Sequence, residues 1–314
     1  MNYSRGEFNF VLLFAIFAGV AILILAIYGA SQFASTGRFQ TSTLVAKQLD
    51  ILTDPFQAGF ASAQKNEISF NQNVTIKSSC ENFTEFGSND LSVLIDMDLG
   101  QEKYGTPIKI NDKYIFSSEY IGGRKIYSLS KSFSFPFKVS DYLIFFSEED
   151  HFCLEDSPDW FKQQLQNLEI PVLKFRECKN NEYYTQVCFS DPACDIYVSG
   201  GCNGPDCENE YDIGAVSKEG IILYYQKDLL LPAIFSNPSI YNCNVNRLLQ
   251  KASFLTDIYS EKALILNQKD CINYLQSDLD SFKQQIDSNA DIRSLHSIQY
   301  NLLIKNREGS CRVW

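Results

Sequence analysis

Histidine is almost missing from this chain, and an excess of basic charge is missing altogether. His151 and His296 are the only imidazoles in 314 residues. A His-rich metal cluster or a Ser-His-Asp arrangement therefore has little to draw on, and no G-x-S-x-G occurs. No G-x-x-x-x-G-K-[ST] or G-x-G-x-x-G is present, which leaves phosphate cradling without a motif. Lys and Arg number 27 against 38 Asp and Glu, a net charge of -11. That field repels phosphates, so nucleic acid is not an expected partner. There is no C-x-x-C pair; the closest cysteines are Cys202/Cys207 and Cys188/Cys194. The spacing supports neither a zinc centre nor a thioredoxin-like redox motif, so no metal and no cofactor are expected.

What the chain does have is aromatic mass, cysteine and one long apolar run. With 24 Phe, 17 Tyr and 45% hydrophobic residues, disorder is excluded and a large core is available. Residues 8–30, FNFVLLFAIFAGVAILILAIYGA, carry no charged side chain. At 1.5 Å per residue they make ~35 Å of helix, enough to cross a bilayer core of roughly 30 Å, and the run is too long for the apolar part of a cleaved signal. A transmembrane helix over 8–30 in contact with the lipid bilayer is expected, behind a short cytoplasmic tail at 1–7. All ten cysteines follow it: Cys80, Cys153, Cys178, Cys188, Cys194, Cys202, Cys207, Cys243, Cys271 and Cys311. An even number past an anchor points to disulfides in an oxidising compartment, and hence to a cell-membrane, single-pass protein with its C-terminal domain outside. The charges flanking the run are nearly balanced and do not decide the orientation. Asn73-Val-Thr and Asn82-Phe-Thr would be glycosylation acceptors on that side.

Hydrophobic periodicity divides the rest. Residues 31–54 repeat Phe33, Leu44, Val45, Leu49 and Leu52 at near-helical spacing, which predicts an amphipathic stalk ending at Pro55. Residues 66–228 turn towards period two. Short strands are predicted at Ile68–Phe70, Val74–Ile76, Leu91–Ile95, Ile108–Ile110, Tyr114–Phe116 and Ile126–Leu129, with Asn111-Asp112 and Gly122-Gly123 at hairpin positions. Tyr142–Phe146, a helix over 157–168 and Val172–Phe175 read as a parallel βαβ unit. Cys178 to Asp212 reads as strands joined by a disulfide-pinned loop. Residues 236–314 follow the i, i+3, i+4 pattern of three helices. If these run antiparallel in turn, Cys271 and Cys311 meet at one end and form a disulfide. The expected fold class is α+β, with a mixed β/α ectodomain and a C-terminal three-helix segment.

Two acidic clusters are candidates for chemistry. Glu148-Glu-Asp150 with Glu155-Asp156 follows a strand end, and Asp206, Glu208, Glu210 and Asp212 lie in the cysteine loop. Neither has the D-x-D-x-D-G spacing of a calcium loop, so a solvated acidic surface is the plainer reading, and no catalytic residue is assigned. Asp96 and Asp98 flank Met97 on one face of a strand. Ala15 with Gly19 and Ala26 with Ala30 have the small-xxx-small spacing that supports a homo-oligomer.

Arg5-Gly6-Glu7-Phe8, running straight into the apolar helix, resembles the leader of type IV pilin-like proteins. The resemblance implies cleavage after Gly6, leaving Glu7 first; the glutamate usual at the fifth mature position is Val11 here. Together with Thr53–Phe60, Tyr114–Glu119, Phe135–Asp141, Ile234–Asn237 and Asn242–Arg247, it resembles an uncharacterised family of archaeal single-pass membrane proteins with a pilin-like N-terminal helix. That resemblance implies a cell-envelope location and no known activity. The expected function is a membrane-anchored extracytoplasmic binding or assembly module, partnered by itself or by other envelope proteins. An extracytoplasmic hydrolase using the acidic residues and a pilin-like filament subunit are the alternatives. Mass measurement of the native N-terminus separates anchor from pilin: the anchor keeps Met1 or Asn2, whereas a chain beginning at Glu7 establishes processing.

Overall fold

The period-two part of the chain folds as two six-stranded sheets, and the acidic turn after Ser147 is the point where it leaves one for the other. The computed structural model describes residues 14, 16–29, 42–43, 45–47, 64–82, 86–95, 104–111, 113–175, 183–269, 271 and 273–314. Gly6, Gly37, Pro55, Asp96, Asp98 and Cys178 lie outside them.

The first sheet contains β1 (Gln64–Glu81), β2 (Ser88–Ile95), β3 (Ile108–Ile110), β4 (Ile115–Phe116), β5 (Tyr120–Ser134) and β6 (Lys138–Ser147), in the order β3-β2-β1-β5-β6-β4. All its pairings are antiparallel except β4 with β6. Three sequence expectations change here. The strands predicted at 68–70 and 74–76 are one strand, β1. Gly122-Gly123 is not a hairpin but lies inside β5, where Gly123 pairs with Val74 beside a register shift in β1. Gly123 has φ of +119°, and a Cβ there would meet the Glu148 side chain at 2.5 Å, so glycine permits the irregular pairing. Asn111-Asp112 is no hairpin either, because β3 and β4 stand at opposite edges.

The second sheet runs β12-β11-β10-β9-β7-β8, from β7 (Phe152–Glu155), β8 (Leu173–Phe175), β9 (Thr185–Cys188), β10 (Ile196–Gly200), β11 (Ile213–Lys218) and β12 (Ile221–Gln226). A βαβ unit exists, but its first strand is β7, not Tyr142–Phe146, which belongs to β6 of the first sheet. The Ser147 amide donates to the Asp150 carboxylate at 2.7 Å, and the Asp150 amide donates back to the Ser147 carbonyl at 3.2 Å. That turn ends β6. β7 then pairs parallel with β8 through helix α2 (Asp159–Gln166), which buries Phe161 and Leu165. Numbering takes α1 as the N-terminal helix, residues 16–29.

Helices α3 (Leu230–Phe235), α4 (Pro238–Asn267), α5 (Gln276–Asp287) and α6 (His296–Glu308) follow. Asn237 caps α4 by accepting from the Ser239 amide, with Pro238 in the first turn. Residues 66–228 and 236–314 do not divide the core. One cluster joins Phe133, Phe146, Val216, Leu223, Leu248 and Phe282 from both sheets and the helices. A second cluster covers the other face of the first sheet and includes Ala46, fully buried. The described part of the expected stalk, 42–43 and 45–47, therefore lies on the sheet, as an amphipathic helix with an apolar face to cover would. Thr43 accepts from the Thr106 amide there. Among the described residues, no helix is long and apolar enough to cross a membrane. The apolar side chains of α1 are nevertheless largely exposed, Phe17 and Leu25 at 68% each.

Arg247 of α4 is completely buried and joins the helix to the first sheet. Its guanidinium donates to the Phe86 carbonyl at 2.7 Å, the Asn89 and Asn244 amide oxygens at 2.6 and 2.7 Å, and the Asn111 carbonyl at 3.1 Å. It also stacks on the Tyr114 ring at 4.7 Å. Arg247→Leu strips several buried acceptors of their donor, each loss costing about 1–3 kcal/mol. Chemical unfolding should show at least ~3 kcal/mol of destabilisation in the full chain, and a loss below ~1 kcal/mol would contradict this role.

Candidate functional site

Four disulfides join described residues: Cys80–Cys243, Cys188–Cys194, Cys202–Cys207 and Cys271–Cys311. Cys153 is disulfide-bonded as well. Cys271 and Cys311 stand 5.8 Å apart at Cα, where the chain enters α5 and leaves α6. Closing a loop of 40 residues contributes about 4 kcal/mol in the chain-entropy model. Asn73 and Asn82 are both exposed, with Asn73 accepting from Arg124 Nε at 3.3 Å.

The first acidic cluster is spread out by the fold. The Glu148 carboxylate accepts from the Arg124 amide, Asp150 from the Ser147 amide, and Asp156 from the Ser190 hydroxyl at 2.6 Å. Asp150 borders a cleft of about 430 Å³ shared with Thr185, Asp195, Lys218 and Ser236. Burial raises the Asp150 carboxyl above its ordinary range. Lys218 is buried and donates to the carbonyls of Ile234 and Ser236 at the end of α3. A cation at a helix C-terminus is favourable there, while burial pushes the ammonium down to about 8.

The better formed site lies in the cysteine loop, packed against the start of α6. Gly201 and Cys202 donate their amides to the Glu210 carbonyl, and Gly201 also to that of Ile213. These bonds tie the loop to β11. The loop then turns at Gly204, whose carbonyl accepts from the Cys207 amide at 3.2 Å, and the Cys202–Cys207 disulfide closes it. A Cβ on Gly204 would meet Asp206 Oδ1 at 2.2 Å, so the glycine leaves room for that carboxylate. Asp206 Oδ2 accepts from the Ser297 hydroxyl at 2.7 Å, and this bond holds the carboxyl below its usual range. The second acidic cluster is thereby fixed: Lys227 pairs with Glu208 at 3.0 Å and with Asp212 at 3.2 Å.

His296, the first residue of α6, sits over the disulfide. Its Nε2 is 3.0 Å from the Asp206 carbonyl and 3.6 Å from Cys202 Sγ. The Nε2 proton therefore goes to the carbonyl, and Nδ1 is left as an acceptor. Among the described residues, that Nδ1 has no hydrogen-bond partner although the side chain is nine-tenths buried. Gln299 Oε1, one turn on, is likewise buried and unpartnered. Both residues line a cleft of about 250 Å³ with Asp206, Lys227, Tyr300 and Arg307. Two orphaned acceptors in one small polar cleft suit water or a small hydrogen-bond donor.

No protein-family model matches this chain, and no curated protein or solved structure matches it. The site is therefore read from its own chemistry. The sequence places Cys202, Cys207 and Asp206 in one loop and leaves His296 apart from them. Their meeting was hidden because His296 is 94 positions from Cys202 and belongs to no motif.

Lys218 yields a pH test. Below pH 8 it is charged whether folded or unfolded, and the burial penalty is fully present. Between pH 8 and 10.5 the unfolded chain holds more protons, so folding stability rises with pH. Wild type should gain up to ~3 kcal/mol relative to Lys218→Met across that window, read by chemical unfolding at each pH. A constant difference would contradict it.

Proposed function

We propose that this protein is a membrane-anchored extracytoplasmic envelope protein, belonging with the archaeal pilin-like family it resembles, whose disulfide-stapled domain is a binding or assembly module. The anchoring rests on the uncharged apolar run at 8–30, together with the exposed apolar side chains of α1 at residues 16–29. The staples support an oxidising compartment.

One observation carries the binding reading: the apolar stripe left exposed on α4. Phe254, Ile258 and Ile265 recur at spacings of four and seven, so they share one helix face, and each is about half exposed. Large apolar side chains left half exposed on one helix face mark an interaction surface in a domain that otherwise buries its apolar groups. The carboxylates that a hydrolase would need are instead committed to separate backbone and hydroxyl partners.

Photo-crosslinking in native membranes tests both halves. A crosslinker at Ile258 should give a discrete adduct that stays with the membrane after an alkaline carbonate wash, while one at exposed Asn301 on α6 should not. Equal labelling from both positions, or release of the protein by the wash, would overturn the proposal.

A further inference from the structure

Cys202, Cys207 and His296 bring three soft or borderline donor atoms to within 4.8 Å of one another. The spacing is informative. A divalent zinc ion holds thiolate at ~2.3 Å and imidazole at ~2.05 Å, and at a tetrahedral angle those two donors stand ~3.6 Å apart. Cys202 Sγ and His296 Nε2 are already 3.6 Å apart. Asp206 borders the same point: Oδ1 lies 3.8 Å from Cys207 Sγ, and Oδ2 lies 3.9 Å from His296 Nε2. Ser297 donates to that carboxylate and orients it, as outer-shell groups do at metal centres.

We propose that the Cys202–Cys207 disulfide masks a redox-gated site for a thiophilic divalent cation of the zinc class, with Cys202 Sγ, Cys207 Sγ and His296 Nε2 as its protein ligands. The fourth position faces the cleft beside Asp206. This stands independently of the proposed anchoring and binding functions.

A dithiol reductant gives two electrons and two protons to the disulfide and leaves as its own cyclic disulfide; Cys202 and Cys207 become thiols. The cation then displaces both thiol protons to solvent and does not itself change oxidation state. His296 moves its ring proton from Nε2 to Nδ1 to free the ligating lone pair. That shift turns the unpartnered Nδ1 acceptor into a donor, in a cleft whose other orphan, Gln299 Oε1, is an acceptor. The Asp206 carbonyl loses its imidazole donor and faces a cleft large enough for water to replace it.

Linkage provides the test. The full chain in detergent is equilibrated anaerobically in a dithiol redox buffer with or without Zn²⁺, and free thiols are alkylated and mapped by mass spectrometry. Zinc at 100 times its Kd should raise the thiol-to-disulfide ratio of Cys202/Cys207 about 100-fold and leave Cys80/Cys243 unchanged. Co²⁺ added to the same reduced protein should give one equivalent of thiolate charge-transfer absorption. His296→Ala should weaken Co²⁺ binding roughly 100-fold, since removal of even outer-shell partners costs 10- to 100-fold. The mapping reads each pair separately, so it needs no variant to fold. Zinc without effect on the Cys202/Cys207 ratio, an equal effect on every disulfide, or undiminished Co²⁺ binding in His296→Ala would overturn the site.

Discussion

A buried arginine ringed by carbonyl and amide oxygens holds this molecule together. Arg247 has no exposed surface, and among the described residues it donates to backbone carbonyls and to the amide oxygens of Asn89 and Asn244. Those two asparagines also serve Ile115, whose amide donates to Asn89 Oδ1 and whose carbonyl accepts from both side-chain amides. One charge thus organises the edge strand β4, the strand β2 and the helix α4. A buried ion without such a shell would be too costly to keep, and the shell without the ion would hold several unpaired acceptors. The Cys80–Cys243 disulfide, one residue before Asn244, fastens the same helix to β1 and closes a loop of 163 residues.

With α4 fixed on the first sheet, the rest follows from its length. It reaches the second sheet as well, where the Tyr241 hydroxyl donates to the Tyr224 carbonyl of β12 at 2.6 Å. It then carries α5 and α6 around to the cysteine loop. Cys271–Cys311 closes that final excursion, and His296 lands on the Cys202–Cys207 disulfide. The cleft is therefore a product of long-range docking rather than of any local motif.

That explains what could be read from the sequence. The three C-terminal helices and the Cys271–Cys311 pair were legible because a 3.6-residue period over long stretches is hard to mistake. The mixed sheets were legible as a class, but their boundaries were not. Glu148–Asp150 looks like a wet surface, yet Asp150 makes the turn that moves the chain between sheets. Gly122-Gly123 looks like a hairpin, yet Gly123 serves an irregularity inside a strand. The leader at Gly6 lies outside the described residues, whereas the apolar run at 8–30 is described at 14 and 16–29, as helix with exposed apolar side chains. Arg247 left no sequence signal beyond its polar company, Asn242, Asn244 and Asn246, in the first part of α4.

The buried Arg247 cation makes β2, β4 and α4 a single cooperative unit. Native-state hydrogen exchange measures it directly, through the amide of Ile115 and the amides of α4 from Val245 to Ala252. The account predicts that they open together, with the same free energy and the same denaturant dependence. Exchange of Ile115 through a separate, less costly opening, while α4 stays protected, would contradict it.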